Sequence, residues 1–258
     1  MIVLKHWASV GVCVLLLGAG GCVAPGGEWG QTQWPSGVQL RDAARTAATE
    51  PGTWIPALTA GLLAATDLDE EWSEDLAREQ ALFGSDADNR SNTLRDATTA
   101  AWLVSALVLP SSTYEDKLKG LGVGVATMAV DGLVTEGLKD LTNRERPDGS
   151  NRRSFPSGHS SKASSRAALT IHNLQHSGLP QWSKQLSVVG MHTLAVGTGL
   201  ARVEAEKHHL SDVIFGYAAG RFIARFMTEA FMREGARAHF EAALTEQGTV
   251  VTLRVPLR

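Results

Sequence analysis

Three stretches of this 258-residue chain gather residue types that can bind and attack an anion. The first is Lys139-Asp-Leu-Thr-Asn-Arg-Glu-Arg146-Pro147. Read as a helix, it sets Lys139 and Arg146 two turns apart on one face. Pro147 disfavours the α conformation at Arg146 and so ends the helix there. Two cations on one face near a helix end can hold an anion. They are equally the solvated basic end that the helix macrodipole favours.

The second stretch is Ser154-Phe-Pro-Ser157-Gly158-His159-Ser-Ser161. Pro156 and Gly158 make a tight turn, and an Ala- and Ser-rich helix follows, with Ser157 as its N-cap. The first amides of such a helix point outward and suit a phosphate oxygen. His159 sits at this mouth, where it could donate a proton. An ordinary capped helix start with an exposed histidine has the same sequence.

The third stretch is Arg202-Val-Glu-Ala-Glu-Lys-His208-His209-Leu-Ser-Asp212. On a helix, His208 and Asp212 share a face. A carboxylate there can take the proton of one imidazole nitrogen, fix the tautomer and leave the other nitrogen free to attack. Arg202 would be a further phosphate ligand. A surface ion pair is the plain alternative. His159, His208, His209 and Asp212 are also metal-ligand types, but no His-x3-His pair lies on one face and adjacent histidines point about 100° apart, so no metal is expected.

Taken together, the order and spacing (Lys-x6-Arg-Pro, Pro-Ser-Gly-His, Arg-x5-His-x3-Asp) resembles the type 2 phosphatidic acid phosphatase superfamily. That group includes lipid phosphatases, bacterial class A acid phosphatases and vanadium haloperoxidases. The resemblance covers residues 139–212. It implies that His208 is a nucleophile forming a phosphohistidine and that Asp212 orients it. It implies that His159 protonates the leaving oxygen, and that Lys139, Arg146 and Arg202 clamp the phosphate beside Ser157 and Gly158, without a cofactor. One position departs from the family: Ala201 stands where Ser commonly precedes the third-motif arginine. The loss of that hydroxyl touches positioning and leaves every charged group in place. Three fixed cations and helix-start amides suit a transition state whose charge spreads over three equatorial oxygens.

The elements that must hold these groups read as helices, at roughly 53–66, 69–83, 94–109, 115–143, 159–177, 182–201 and 208–235. The expected fold is all-α, a single helical bundle with the site between helices and a strand-like tail at 249–255 that lacks an evident partner. Lys5 followed by an apolar run and Ala19-Gly20-Gly21-Cys22 reads as a lipoprotein-type signal over 1–21, with Cys22 as the lipidated residue. Residues 22–51, rich in Gly, Pro, Gln and Thr, read as a tether, and 52–258 as the domain. Trp29, Trp34, Trp54 and Trp72 are expected to pack rather than to line a lipid entrance.

A net charge of -3 and 6% aromatic residues argue against nucleic-acid binding. Mean hydropathy of -0.06 and charges in the candidate spans point to a water-soluble domain held at a membrane by its N-terminal lipid. Val23 resembles no inner-membrane retention signal, so the expected place is the periplasmic side of an outer membrane. The expected activity is a metal-independent phosphatase on lipid phosphates or diphosphates, with soluble phosphoesters, haloperoxidase chemistry and a non-catalytic anion-binding lipoprotein as alternatives.

Overall fold

A computed structural model describes residues 29–232, 239–245 and 248–254. The signal read over 1–21 and Cys22 lie outside the described residues. Eight α-helices are described: α1 Gly37–Thr49, α2 Pro51–Ala64, α3 Leu68–Glu79, α4 Ala87–Val108, α5 Tyr114–Thr142, α6 Gly158–Gln175, α7 Gln181–Glu204 and α8 Leu210–Phe231. The helical part is all-α, as the sequence implies. The strand-like tail finds its partner in the segment just before it. β1 His239–Thr245 and β2 Gly248–Arg254 form an antiparallel hairpin.

Two helices organise the bundle. α6 and α8 pack on each other along their length, and α4, α7, α5, α2 and α1 surround them. Their contact is close because of two glycines on α8. A Cβ on Gly216 would stand 2.5 Å from the Ser157 carbonyl oxygen, and one on Gly220 would stand 2.1 Å from that of Ser161. Small side chains let α6 pack closely on its other neighbours too: Ala163 and Ala167 are buried in a cluster with Ala101 of α4 and Met191 and Ala195 of α7. Ser160 and Ser164 hydroxyls donate to the Val213 and Tyr217 carbonyls across the α6–α8 contact. The glycines thus fix how near the start of α6 stands to the start of α8.

A buried carboxylate joins α5 to the same pair. Asp131 accepts hydrogen bonds from the Ser161 and Ser165 hydroxyls and is fully buried. A serine-rich helix that looked merely capped therefore carries inward-facing donors.

The stretch read as a tether is not one throughout. From Gly37 it is helical, opened by a capping box at Ser36 and Gln39, and α1 packs on α8. Even earlier, Gln33 N donates to Phe231 O at 2.9 Å, and the buried Trp29 indole donates to Asn173 at 2.9 Å. Residues 29–51 therefore include segments that pack on the bundle, where the sequence read a tether. Of the four tryptophans expected to pack, only Trp29 is buried; Trp34, Trp54 and Trp72 are exposed.

The reading of a water-soluble surface also changes. α5 and α7 are long and apolar enough to cross a membrane by length and composition, and at 1.5 Å per residue each exceeds a hydrocarbon core of about 30 Å. Leu118, Val125, Leu133 and Leu141 on α5 and Trp182, Leu186, Val189 and Val196 on α7 face outward uncovered. Of the charges within α5, Asp131 is turned inward, and Glu136 stands within two turns of the helix end, paired with Lys139 and Arg153.

The glycine contacts make a sharp prediction. Gly220→Ala forces a methyl against the Ser161 backbone and should cost about 1–3 kcal/mol. Gly190→Ala, with open space around it, should leave the melting temperature unchanged or slightly raised. Equal melting temperatures for the two variants would contradict this packing.

Candidate active site

The three stretches meet at one end of the bundle, where α5 and α7 finish and α6 and α8 begin. They reach it by routes the sequence did not show. α5 ends at Thr142, because Asn143 takes a left-handed conformation (φ 48°) and its N–H caps the Lys139 carbonyl. Lys139 is therefore on the last helical turn, and Arg146 is in the following loop rather than on the same face. Likewise α8 starts at Leu210, so His208 precedes the helix and does not pair with Asp212 through one face. Asp212 instead occupies the third position of α8. Its Oδ2 accepts the His209 N–H at 2.9 Å, closing a capping box.

His208 is buried. Its Nδ1 lies 2.6 Å from the Ser154 carbonyl oxygen. A carbonyl can only accept, so Nδ1 carries the proton and the lone pair is on Nε2. Asp212 Oδ2 stands 3.8 Å from Nδ1. At that range it is an electrostatic neighbour, and the tautomer is set by the backbone of Ser154. Burial pushes the imidazole below its usual range, Asp212 opposes this, and Arg202 and Arg146 add to it. The net result is a neutral ring whose unprotonated Nε2 can act as a nucleophile.

Asp212 is itself tightly held. Its carboxylate receives the Ser154 hydroxyl, the His209 amide and Arg144 at 2.7 Å. Burial alone would raise its pKa; His208, Arg144 and Ser154 outweigh burial and hold it below the usual carboxylate range. Arg144 also grips Asp69 Oδ2 at 2.7 Å and the Ser211 hydroxyl at 2.7 Å. Asp69, on α3, takes the Ser211 amide at 2.8 Å, and Ser73 takes the Leu210 amide at 2.8 Å. The first turn of α8 is thus capped from another helix.

Ser157 caps α6 as expected, accepting from Ser160 N at 3.4 Å. Its own N–H donates to the Asp212 carbonyl at 3.0 Å, which ties the two helix starts together. The first intrahelical bond of α6 runs from Ser161 N to Ser157 O. The amides of Gly158 and His159 precede it and have no acceptor within the helix. Lys139 lies beside them, with its Nζ 3.3 Å from where a Gly158 Cβ would stand, and it also contacts Glu136 at 2.7 Å. Arg202 pairs with Asp88. The Nε groups of Arg146 and Arg202 are buried and find no acceptor among the described residues, so each can still donate to a bound anion.

His159 faces α4. Its Nε2 lies 2.9 Å from Arg95 and 2.9 Å from Asn92 Oδ1. Burial first, then Arg202, Arg95, His208 and Lys162, lowers its pKa to about 3.

All eight residues singled out for catalysis and phosphate binding therefore converge on one place: Lys139, Arg146, Ser157, Gly158, His159, Arg202, His208 and Asp212. Five participants had no assigned part. Arg144 stood inside the first stretch, a second arginine two places before Arg146, and that doubling was the available signal. Ser154 opened the second stretch without a role. Asp69 sits in the acidic first turn of α3, where carboxylates are ordinary. Asn92 and Arg95 lie on a polar helix face that carries no spacing signal. No group of three or more potential metal ligands is found among the described residues.

The ion-pair network around Asp212 is testable. Arg144→Met leaves Asp69 and Asp212 buried without their shared cation and should destabilise the chain by about 3–5 kcal/mol at pH 7. Asp212, held low by Arg144, contributes stability that is present above the usual carboxylate range and lost as pH falls through its depressed value. In the variant this dependence should reverse, and stability should rise between pH 7 and 5. Denaturant unfolding at both pH values checks it, and wild-type stability in the variant would contradict it.

Residues 121–236 match the PAP2 superfamily. The chain is 28% identical over 165 residues to the lipid A 1-phosphatase of Porphyromonas gingivalis, which takes in 60% of this chain and 35% of that protein. The chain thus spans about a third of that relative's length. It is similar over 74% of its length, at 20% identity and a TM-score of 0.42, to 91% of the chain of a transmembrane PAP2-type phosphatidylglycerolphosphate phosphatase from Bacillus subtilis. Lys139, Arg146, His159, Arg202, His208 and Asp212 all lie inside the segment that matches the PAP2 superfamily.

Proposed function

We propose that the chain is a phosphatase that works at a bilayer on phosphorylated lipids, by two displacements at His208. The observation that carries this reading is the buried, neutral His208 with its Nδ1 proton on Ser154 O and the unpaired Nε groups of Arg146 and Arg202 in the same site. In the first displacement Nε2 attacks phosphorus, the P–O bond breaks and the ester oxygen leaves with a proton from His159, whose imidazolium the charge of the bound phosphate would favour. In the second a water hydrolyses the phosphohistidine, with His159, neutral at ordinary pH, accepting the water's proton. Lys139, Arg146, Arg202 and the Gly158 and His159 amides neutralise the charge on the equatorial oxygens. Asp212 keeps its negative charge beside the imidazole and stabilises it as phosphorus bonds to Nε2.

The lipid preference rests on the outward apolar faces of α5 and α7 and is in keeping with the similarity to the lipid A 1-phosphatase of Porphyromonas gingivalis. A lipid attached at Cys22 would add a second tie to the same membrane.

The test is phosphate release by the purified chain, in detergent and with chelator, from phosphatidate, a prenyl diphosphate and a soluble phosphomonoester. Turnover of the lipids above the soluble ester is expected, together with co-sedimentation of the protein with phospholipid vesicles. His208→Ala should abolish turnover. Full activity in that variant would remove the mechanism, and activity confined to the soluble ester would remove the lipid assignment.

The same site fixes the pH dependence. His208 must be unprotonated to attack, and its pKa is depressed below the ordinary 6.5. The acid limb of kcat/KM should therefore fall below pH 6.5, and activity should persist where a free imidazole is mostly charged. An acid limb at or above 6.5 would contradict a buried neutral nucleophile.

A further inference from the structure

Beside the catalytic groups, α6 carries two cations that none of the three motifs includes. Lys162 and Arg166 follow His159 at helical spacing, so the three share one face of α6. At 1.5 Å per residue they stand about 4.5 Å and about 10 Å farther from the helix mouth than His159. Both are half-buried. No carboxylate among the described residues pairs directly with Lys162, whose charge acts on His159 and Asp131. Arg166 donates to the Lys162 carbonyl at 2.8 Å. Its Nε is buried and has no acceptor among the described residues.

This face of α6 lies in the seam between α4 and α5. His159 touches Asn92 and Arg95 of α4. The charged neighbours of Arg166 are Asp131 of α5 and Arg95 and Asp96 of α4. Away from the site the seam closes: Gly124 of α5 leaves room for the Trp102 indole, and Lys117 holds carbonyls at the end of α4. Contact between the two helices is otherwise slight. Three residues beyond Arg166, Leu169 is buried with Trp102 in an apolar cluster. The seam thus leads from the phosphate site past two cations to an apolar floor. Its acids do not balance its cations. Asp96 engages Arg95, and Asp131, which accepts from the Ser161 and Ser165 hydroxyls, is left to offset both Lys162 and Arg166.

We propose that Lys162 and Arg166 form a second anion subsite, for a negative group that the substrate carries on its leaving alcohol, between the scissile phosphate and the lipid chains. The proposal rests on the phosphatase reading of His208. The apolar outer faces of α5 and α7 run along the bundle away from the site, so a lipid lying beside them presents its phosphate at the mouth. A lipid phosphate with no further charge sets only ester and glycerol groups against Lys162 and Arg166. A lipid with a phosphomonoester at the outer end of its headgroup and a phosphodiester beneath it sets the diester there. A phosphodiester is anionic at any ordinary pH and accepts from an ammonium and a guanidinium together. It supplies the acceptor that the Arg166 Nε lacks. Only the outer P–O bond is cleaved at His208, and the diester departs intact on the alcohol.

The experiment measures KM and kcat of the full chain in neutral detergent on two short-chain lipids. Phosphatidylinositol 4-phosphate carries the inner diester and phosphatidate does not. KM should be lower on the inositol lipid by about 10-fold, the scale of one hydrogen bond to a charged group. Lys162→Gln should bring the two KM values together, with the loss in KM rather than kcat. Arg166→Lys, which keeps the charge, should retain most of the preference and separates charge from folding. Repeating the comparison in neutral and in anionic phospholipid vesicles distinguishes a subsite for substrate from a patch for the bilayer. Loss of the preference in Lys162→Gln in both vesicles supports the subsite. A Lys162→Gln effect on both substrates confined to anionic vesicles would overturn it. No turnover of the inositol lipid, equal KM values in the wild-type chain, or an unchanged ratio in Lys162→Gln would also overturn it and leave the phosphatase reading standing. Phosphate release from neither lipid would overturn both.

Discussion

The site depends on a carboxylate taken out of water. Asp212 has no exposed surface, and an isolated buried charge would cost far more than the fold's net stability. The chain meets that cost with a complete set of donors: the Arg144 guanidinium, the Ser154 hydroxyl and the His209 amide. Each donor then fixes something else. Arg144 draws in Asp69 and so docks α3. Ser154, held by its hydroxyl, presents its carbonyl to His208. The His209 amide sets the start of α8. The satisfaction of one charge therefore determines the tautomer and position of the imidazole. The carboxylate serves that imidazole from 3.8 Å, by its field, while the directional hydrogen bond belongs to the backbone.

A second constraint brings the start of α6 into register with this network. The Ser157 amide donates to the Asp212 carbonyl, and Gly216 allows the Ser157 carbonyl to approach α8. The helix mouth and His208 are thus spaced by a backbone bond and a missing methyl group, not by long side chains. The cations that complete the site are less rigid. Lys139 and Arg202 currently contact Glu136 and Asp88, partly exposed carboxylates that a bound phosphate can replace at modest cost.

The chemistry was more legible in the sequence than its geometry. Residue types and spacing single out His208, His159, Asp212 and the three cations, and all of them meet. The spacing was read through helical periodicity, however, and that failed twice. Asn143 stops α5 four residues before Pro147, and α8 begins after His208, so both pairs join through loops held by buried hydrogen bonds. Such loops leave no periodic signature. Arg144 and Asp69 escaped notice because burial, which makes a charge matter, is not written in composition. The Gly- and Pro-rich segment before residue 52 looked like a linker, yet Ser36 and Gln39 formed a capping box that opens α1. The apolar outer faces of α5 and α7 were masked by charges that the fold turns inward or places at helix ends.

The central claim is covalent, and its most direct test is to find the bond. Replacing His159 removes the base for hydrolysis while leaving the nucleophile in place. Acid-free denaturing quench of His159→Ala during turnover of a labelled substrate, followed by peptide mass spectrometry, should show phosphate on His208, bonded to Nε2 because Nδ1 is committed to Ser154. The adduct should be stable to base and lost in acid. Phosphate on any other residue, or phosphate release at steady state with His208 unmodified at every time point, would contradict the account.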